Sequence, residues 1–550
     1  MVPSLFNGSV PASACTAASI PYPSLFGAEI LSLEATYIAN VSQSIPIGVY
    51  SNQGAVDVVN ANYCNVTISY THPGQDDHVN VQVWLPIDTW NGRLQAIGGA
   101  GFQAGLHRAG LMGMLAAVGE GYATVGTDAG LGSATSPDPW ALVSEGNVNL
   151  FLLQNLGSTS LNDASIIAKS ITNSFYGEPA KYSYFNGCSQ GGRQGLMLAQ
   201  RYPEAYDGIA ASAPAIYWNQ LFTSMFWPSL LIDSLGEVPP PCEIDAITNA
   251  ALEACDGLDG VVDGVVSDPD NCIFDAASLV GTVINCTTFG TERVISSAAT
   301  QIVQSTWDGA RRVDNSSLWY GPYKGGLLTG SITDPAIVST TCSSNVTCTR
   351  GNMELVEGWM KFFGLKSANA SLTNLSHAEF DHVTKSLVQQ FESVIGTHDP
   401  DLSAFKARGG KLLGFHGTTD TVIPARGTLQ YYESVAALDP NIHNFYRVFL
   451  APGVNHCFGG NGAYPDTTFE ALRNWVEHDT APESLTATII GTAEIIKRDL
   501  CPYPKKQTFN CARNSTVADC FTCTGTFEMG HVPSEVVSAD LWGQLESCRS

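Results

Sequence analysis

The clearest periodicity in the chain runs from Val79 to Leu85. There Val79, Val81, Val83 and Leu85 alternate with Asn80, Gln82 and Trp84, the period of a half-buried strand. Arg93 to Ile97 reads as a second strand, running into Gly98-Gly99-Ala100-Gly101, and Tyr122 to Gly126 as a short apolar run after Gly121. A helical stretch from about Leu161 to Phe175 leads into the strand Tyr182 to Phe185. Gly192 to Tyr202 then reads as a helix closed by Pro203, and Ile209 to Ala213 as a buried strand. The alternation resumes at Lys411 to His416 and at Phe445 to Leu450. Strands alternating with helices predict an α/β fold whose largely parallel sheet is covered on both faces. The first seventy residues lack this pattern and read as irregular.

Between Trp218 and Arg408 the alternation lapses into scattered cysteines, clustered Asn-x-Ser/Thr sequons and aromatic residues. A long insertion between two late strands is the economical reading. It divides the chain into a body at 1–217 and 409–550 and an inserted domain at 218–408, expected to form a lid over the functional site.

Composition narrows the setting. With 44% hydrophobic and only 14% charged residues, the 550-residue chain is globular, not disordered. A formal charge of −25 argues against nucleic acid or an anionic membrane as partner. No run of 18 apolar residues suggests a membrane span. Fifteen cysteines suit an oxidising compartment. Sequons at Asn7, Asn40, Asn65, Asn285, Asn315, Asn345, Asn369, Asn374 and Asn514 are glycosylation candidates. Met1 is therefore read as a start residue added to a mature, secreted chain. Cys15 and Cys64 are expected to pair; Cys342 with Cys348, Cys242 with Cys286, and Cys501 with Cys523 are further candidates, and the odd total leaves at least one thiol free or joined elsewhere.

The chemistry centres on Gly187-Cys188-Ser189-Gln190-Gly191. Gly-x-Ser-x-Gly is a short pattern. Here, however, it sits between a strand and a helix, the sharp turn that exposes a nucleophilic serine and needs glycine beside it. The helix start places the Gln190 N–H next to a developing oxyanion. A second donor is expected from the loop after an early strand, in the region of Gly101. In an α/β-hydrolase the acid and base follow the serine in that order. Of His416, His443, His456 and His478, His456 lies just past the last strand, where the base belongs. Asp420 follows the preceding strand in a tight loop and is the candidate acid. Cys188 precedes the nucleophile and Cys457 follows the base, so a hydrogen-bonded Ser189 and His456 would bring these cysteines within disulfide range.

The Cys-Ser…Asp…His-Cys arrangement, with Gly-Cys-Ser-Gln-Gly-Gly-Arg-Gln-Gly at the elbow, resembles the fungal tannase and feruloyl esterase family over roughly Tyr63 to Cys523. The resemblance implies an α/β-hydrolase core with an inserted lid domain. It also implies hydrolysis of phenolic acid esters by Ser189, Asp420 and His456, with a Cys188–Cys457 disulfide. Asp256, Asp259 and Asp263 crowd a glycine-rich loop suited to calcium. The resemblance supplies the full ligand set, adding the carbonyls of Val261 and Val265 to the three carboxylates. The ion would be structural, with no organic cofactor, and Cys255 and Cys272 bracket the loop and are expected to pair.

The expected function is a secreted serine carboxylesterase acting through an acyl-enzyme, with hydroxycinnamate esters of plant polysaccharide as substrate. Galloyl esters of tannins are the alternative. A non-catalytic carbohydrate-binding protein or a peptidase on the same fold are rivals of other classes. Trp218, Phe222, Phe226, Trp227, Trp319, Trp359 and Phe363 could flank a phenolic ring, although most are expected to form the insertion's own core.

Overall fold

The apolar runs become the centre of a nine-stranded mixed sheet in a computed structural model, which describes residues 10–287, 289–331, 334–343, 347–491, 496–510 and 520–527. Its strands are β1 (Glu29–Ile45), β2 (Val56–Thr71), β3 (Val79–Pro86), β4 (Arg93–Ile97), β5 (Ala123–Thr127), β6 (Tyr182–Cys188), β7 (Gly208–Ser212), β8 (Lys411–Gly417) and β9 (Tyr446–Ala451). They lie in the order β1-β2-β3-β5-β4-β6-β7-β8-β9. From β5 to β9 every pairing is parallel. The β1, β2 and β3 end is antiparallel, as is the β3–β5 contact.

The central strands are apolar throughout because both of their faces are covered. Phe185, Ile209, Ala211 and Leu412 point into one core, while their neighbours Tyr184, Ala210 and Leu413 point into the other. Helix α1 (Arg108–Gly119) packs on the second face together with α5 (Thr468–His478). Helices α2 (Ser160–Tyr176), α3 (Gln190–Arg201) and α4 (Ala425–Leu438) pack on the first.

The expectation of an irregular first seventy residues is wrong. They contain β1 and β2, a long hairpin bulged near Ile30, Ile38 and Val41. Strand β2 does alternate, with Cys64, Val66, Ile68 and Tyr70 buried, whereas for β1 the reason is visible in the burial. Along β1 only Leu33 and Ile45 are buried, so no apolar alternation marks this edge strand. Cys15–Cys64 anchors the preceding segment to β2.

Residues 213–410 enter between β7 and β8, which pair directly through Gly208–Lys411, Ile209–Leu412 and Ala210–Leu413. Part of this insertion has a core of its own, with Ile244, Ile247, Ile302, Trp307 and Leu328 packed together. Another part shares the core of the body. Trp359 stacks with Phe363 at 4.3 Å and meets Trp218 at 5.7 Å, and it reaches Phe102 of the body at 6.5 Å. Trp140 of the body meets Phe363 at 5.7 Å. Three disulfides, Cys242–Cys286, Cys255–Cys272 and Cys342–Cys348, lie within the insertion, and Cys501–Cys523 ties Cys501 to the strand Phe521–Thr524, which pairs with Lys506–Phe509. Among the described residues no helix is long and apolar enough to cross a membrane.

Trp359 is fully buried where the two packing units meet. Trp359→Ala should therefore cost about 3–5 kcal/mol, read as a lower midpoint in chemical denaturation. An unchanged midpoint would show that the aromatic junction contributes little.

Candidate active site

Strand β6 ends at Cys188 and α3 begins at Gln190, leaving Ser189 alone in the turn with φ 63° and ψ −123°. That left-handed conformation is costly for a residue with a Cβ. The turn is also crowded. A Cβ on Gly187 would lie 2.6 Å from the carbonyl carbon of Gly191, and one on Gly98 would lie 2.7 Å from the Gly191 Cα. Only glycine fits at these two positions. The Ser189 main chain is bonded on both sides, its N–H donating to Ser212 O at 3.1 Å and its carbonyl accepting from Arg193 and Ala215.

The C-terminal ends of β8 and β9 deliver the other two groups. Ser189 Oγ lies 2.9 Å from His456 Nε2, and His456 Nδ1 lies 2.7 Å from Asp420 Oδ2. Asp420 is buried, and its Oδ1 accepts the N–H groups of Val422 and Ile423 at 3.0 and 2.8 Å. Burial alone would raise its pKa, but His456 and His416 outweigh that and hold the carboxyl well below the usual range. Burial would likewise depress His456. The charge and hydrogen bond of Asp420, with a smaller contribution from Asp334, reverse this and raise its pKa above the ordinary 6.5. Cys188 and Cys457 form a disulfide with Cα atoms 5.9 Å apart, joining the serine's neighbour to the histidine's neighbour.

The other late histidines lie elsewhere. His416 is fully buried, with Nε2 2.8 Å from Ile423 O and 3.3 Å from Asp420, while Nδ1 contacts Thr428. It buttresses the Asp420 loop. His443 precedes β9, at the opposite end of that strand from His456, and His478 is exposed at the end of α5.

The Gly98–Gly101 loop packs on the elbow as a neighbouring backbone. Gln194 of α3 accepts the Gly99 N–H at 2.7 Å and donates to Ala104 O at 2.8 Å. Gly101 has φ 56° and faces Leu355 of the insertion. Gln190 is buried, its side chain accepting from Arg193 Nε at 2.7 Å. All seven insertion aromatics singled out above are buried, but they belong to the core shared with the body and not, as expected of most of them, to the insertion's own.

Two residues have a place here that sequence reasoning missed. Arg193 stood inside the elbow motif, but nothing in the motif announced a fully buried cation bonded to Leu156 O, Gly157 O and Thr397. Asp334 accepts the main-chain N–H of His456 at 3.1 and 3.3 Å, and no motif surrounds it.

In the acidic loop, Asp256 accepts the N–H groups of Asp263, Gly264 and Val265, and Asp259 accepts that of Val261. Asp263 pairs with Arg498 through Oδ2, while its Oδ1 is buried without a hydrogen-bond partner. Burial pushes the Asp263 carboxyl upward against the pull of Arg498, and Asp259 and Asp256 add to the rise. The donor set is all oxygen, and an orphaned buried carboxylate oxygen suits a hard cation. As the side chains stand, however, no three His, Cys, Asp or Glu groups converge on a common metal position among the described residues. Of the sequons, Asn40, Asn285, Asn315, Asn369 and Asn374 are exposed, whereas Asn65 lies in β2 between two paired strands with its Oδ1 buried. Asn7, Asn345 and Asn514 lie outside the described residues.

Known proteins share this architecture. Residues 64–524 match the family described as tannase and feruloyl esterase. A probable feruloyl esterase of Arthroderma benhamiae is 38% identical over 530 residues, with 94% of each chain covered. A tannase of Aspergillus oryzae is 30% identical over 523 residues, covering 84% of this chain and 86% of its own. The solved tannin acyl hydrolase from Aspergillus niger superposes with a TM-score of 0.83 at 26% identity, covering 96% of this chain and 97% of that one. With the strand–serine–helix turn, the mixed sheet and these matches together, the chain belongs to the tannase and feruloyl esterase family of carboxylic ester hydrolases.

Proposed function

We propose that Ser189 is the nucleophile, His456 the general base and acid, and Asp420 the group that orients and charges the imidazole. The observation that carries this reading is the continuous relay from Ser189 Oγ through both ring nitrogens of His456 to Asp420. Ser189 adds to the ester carbonyl as its proton passes to Nε2, and Asp420 stabilises the imidazolium formed. The alkoxide meets the N–H of Gln190 at the start of α3, with the Gly101 region as the second donor. His456 then gives its proton to the departing alcohol. Water, activated by the same base, releases the acid and restores Ser189.

The acyl group is a phenolic acid, and we favour a hydroxycinnamate over gallate. The higher identity to the feruloyl esterase relative, 38% against 30% for the tannase, supports this preference. The alternative is tannin acyl hydrolysis, favoured by the structural likeness to the A. niger enzyme. A secreted glycoprotein is the setting proposed for this chain, on the strength of its disulfides and exposed sequons, with the insertion acting as a lid. Calcium is proposed to hold the acidic loop through the carboxylates of Asp256, Asp259 and Asp263 and the carbonyls of Val261 and Val265. The orphaned Asp263 Oδ1 supports it.

Ser189→Ala should lower kcat by about a million-fold and Asp420→Asn by about ten-thousand-fold in a fixed aryl ester assay. Full activity in Ser189→Ala would remove the nucleophile assignment. Because His456 must be neutral to accept the serine proton, kcat/KM should rise along an acid limb centred above pH 6.5. That limb should move to lower pH in Asp420→Asn, which loses the charge that raises the base. Methyl ferulate should be cleaved faster than methyl gallate, and a strong gallate preference would select the tannase reading. Elemental analysis of dialysed protein should find calcium, and a chelator should lower the melting midpoint by about 5 °C or more. Neither calcium nor a shift would reject the ion.

A further inference from the structure

The loop that carries the base is held residue by residue. The N–H of Gly453 donates to Thr418 Oγ1, that of Val454 to Ala451 O and that of Asn455 to Gly459 O, all within the body. Cys457, at φ 63°, is fixed by its disulfide to Cys188. His456 lies between these anchors, and its N–H is received by neither the body nor the loop. It donates to both carboxylate oxygens of Asp334, a buried residue of the insertion. The segment presenting Asp334 is itself closed by the Asp334 N–H donating to Ser331 Oγ at 3.1 Å and the Ser331 N–H donating to Asp334 O at 2.9 Å. Asn455 Nδ2 donates to the same Ser331 hydroxyl at 3.3 Å, while its Oδ1 accepts from Thr419 beside Asp420.

We propose that Asp334 is a positioning residue for ester hydrolysis, contributed by the insertion, which sets the main chain of His456 so that Nε2 meets Ser189 Oγ. This rests on the reading of Ser189, His456 and Asp420 given above. A carboxylate is a strong acceptor for a buried N–H, and no water is needed to complete the loop. The ring has little freedom once its own N–H is fixed, because Asp420 holds Nδ1 and the disulfide holds the next residue. A small displacement of the main chain would therefore be passed directly to Nε2, and a misplacement of about 1 Å at such a distance costs on the order of 100-fold in rate. The charged and titratable groups around His456 are Asp420 and Asp334, with His416 behind Asp420. Asp334 thus also adds to the negative field that favours the imidazolium.

The test compares Asp334→Ala, Asp334→Asn and Ser189→Ala in the full-length protein, with 4-nitrophenyl acetate and methyl ferulate as probes. In Asp334→Ala kcat should fall about 10- to 100-fold with KM nearly unchanged. Asparagine keeps an acceptor oxygen and removes the charge. Asp334→Asn should therefore recover kcat to within about fivefold of wild type. Its acid limb should also move to lower pH, which a purely structural contact would not produce. Wild-type kcat in Asp334→Ala would overturn the proposal, as would equal losses in both variants accompanied by equal drops in melting midpoint. Retained activity in Ser189→Ala would instead overturn the underlying catalytic reading. An inactive Ser189→Ala beside a fully active Asp334→Ala would reject only the positioning role.

Discussion

The conformation of Ser189 is the constraint on which the rest depends. Holding a serine at φ 63° costs on the order of 1–3 kcal/mol, and the turn persists only because its surroundings leave no alternative. Strand β7 grips its N–H through Ser212, Arg193 of α3 and Ala215 grip its carbonyl, and Gly187, Gly191 and Gly98 let three backbone segments meet where side chains would collide. The disulfide from Cys188 extends this rigidity to the neighbour of His456. A serine hydroxyl, a helix start and an imidazole are thereby held at fixed separations, the arrangement that electrostatic preorganisation requires.

The insertion meets the same turn at two points. Arg193 of α3 fans its guanidinium into the carbonyls of Leu156 and Gly157 and the side chain of Gln190, all of the body, and into the hydroxyl of Thr397, with Trp218 at 5.8 Å, both of the insertion. Those two carbonyls belong to a short π-helical turn, where backbone oxygens are left available. Burial pulls the Arg193 pKa down to about 9, against which its four acceptors hold the cation; among the described residues no carboxylate pairs with it. Lysine could not reproduce this fork. At the second point, Asp334 meets the main chain of His456. The insertion and the body therefore act as one unit at the elbow, although they are separate along the chain.

How much could be read beforehand follows from where side-chain chemistry leaves a local trace. The strand Arg93–Ile97 and the serine turn were legible because burial on both faces and crowding by glycine dictate residue type at each position. The late histidine was legible because only one follows a strand at the correct end of the sheet, and Cys457 beside it pointed back to Cys188. Strand β1 was not, since an edge strand facing solvent needs no apolar alternation. Asp334 was not, because its partner is a backbone N–H more than a hundred residues away and places no demand on neighbouring sequence. The acidic loop was visible from its composition, but the pairing of Asp263 with Arg498 was not.

The placement of residues 213–410 between two adjacent strands has a consequence for how the protein is made. Ribosomes add about 5–20 residues each second, so β7 emerges some 10–40 s before β8, its neighbour in the sheet. Over that interval Gly208–Ser212 is an apolar strand with one edge unpaired, the kind of edge that attracts other chains. In a nascent chain ending before residue 411, the strand that pairs with this edge in the finished sheet has not yet been made, and the order of synthesis sets how long the edge waits for its partner.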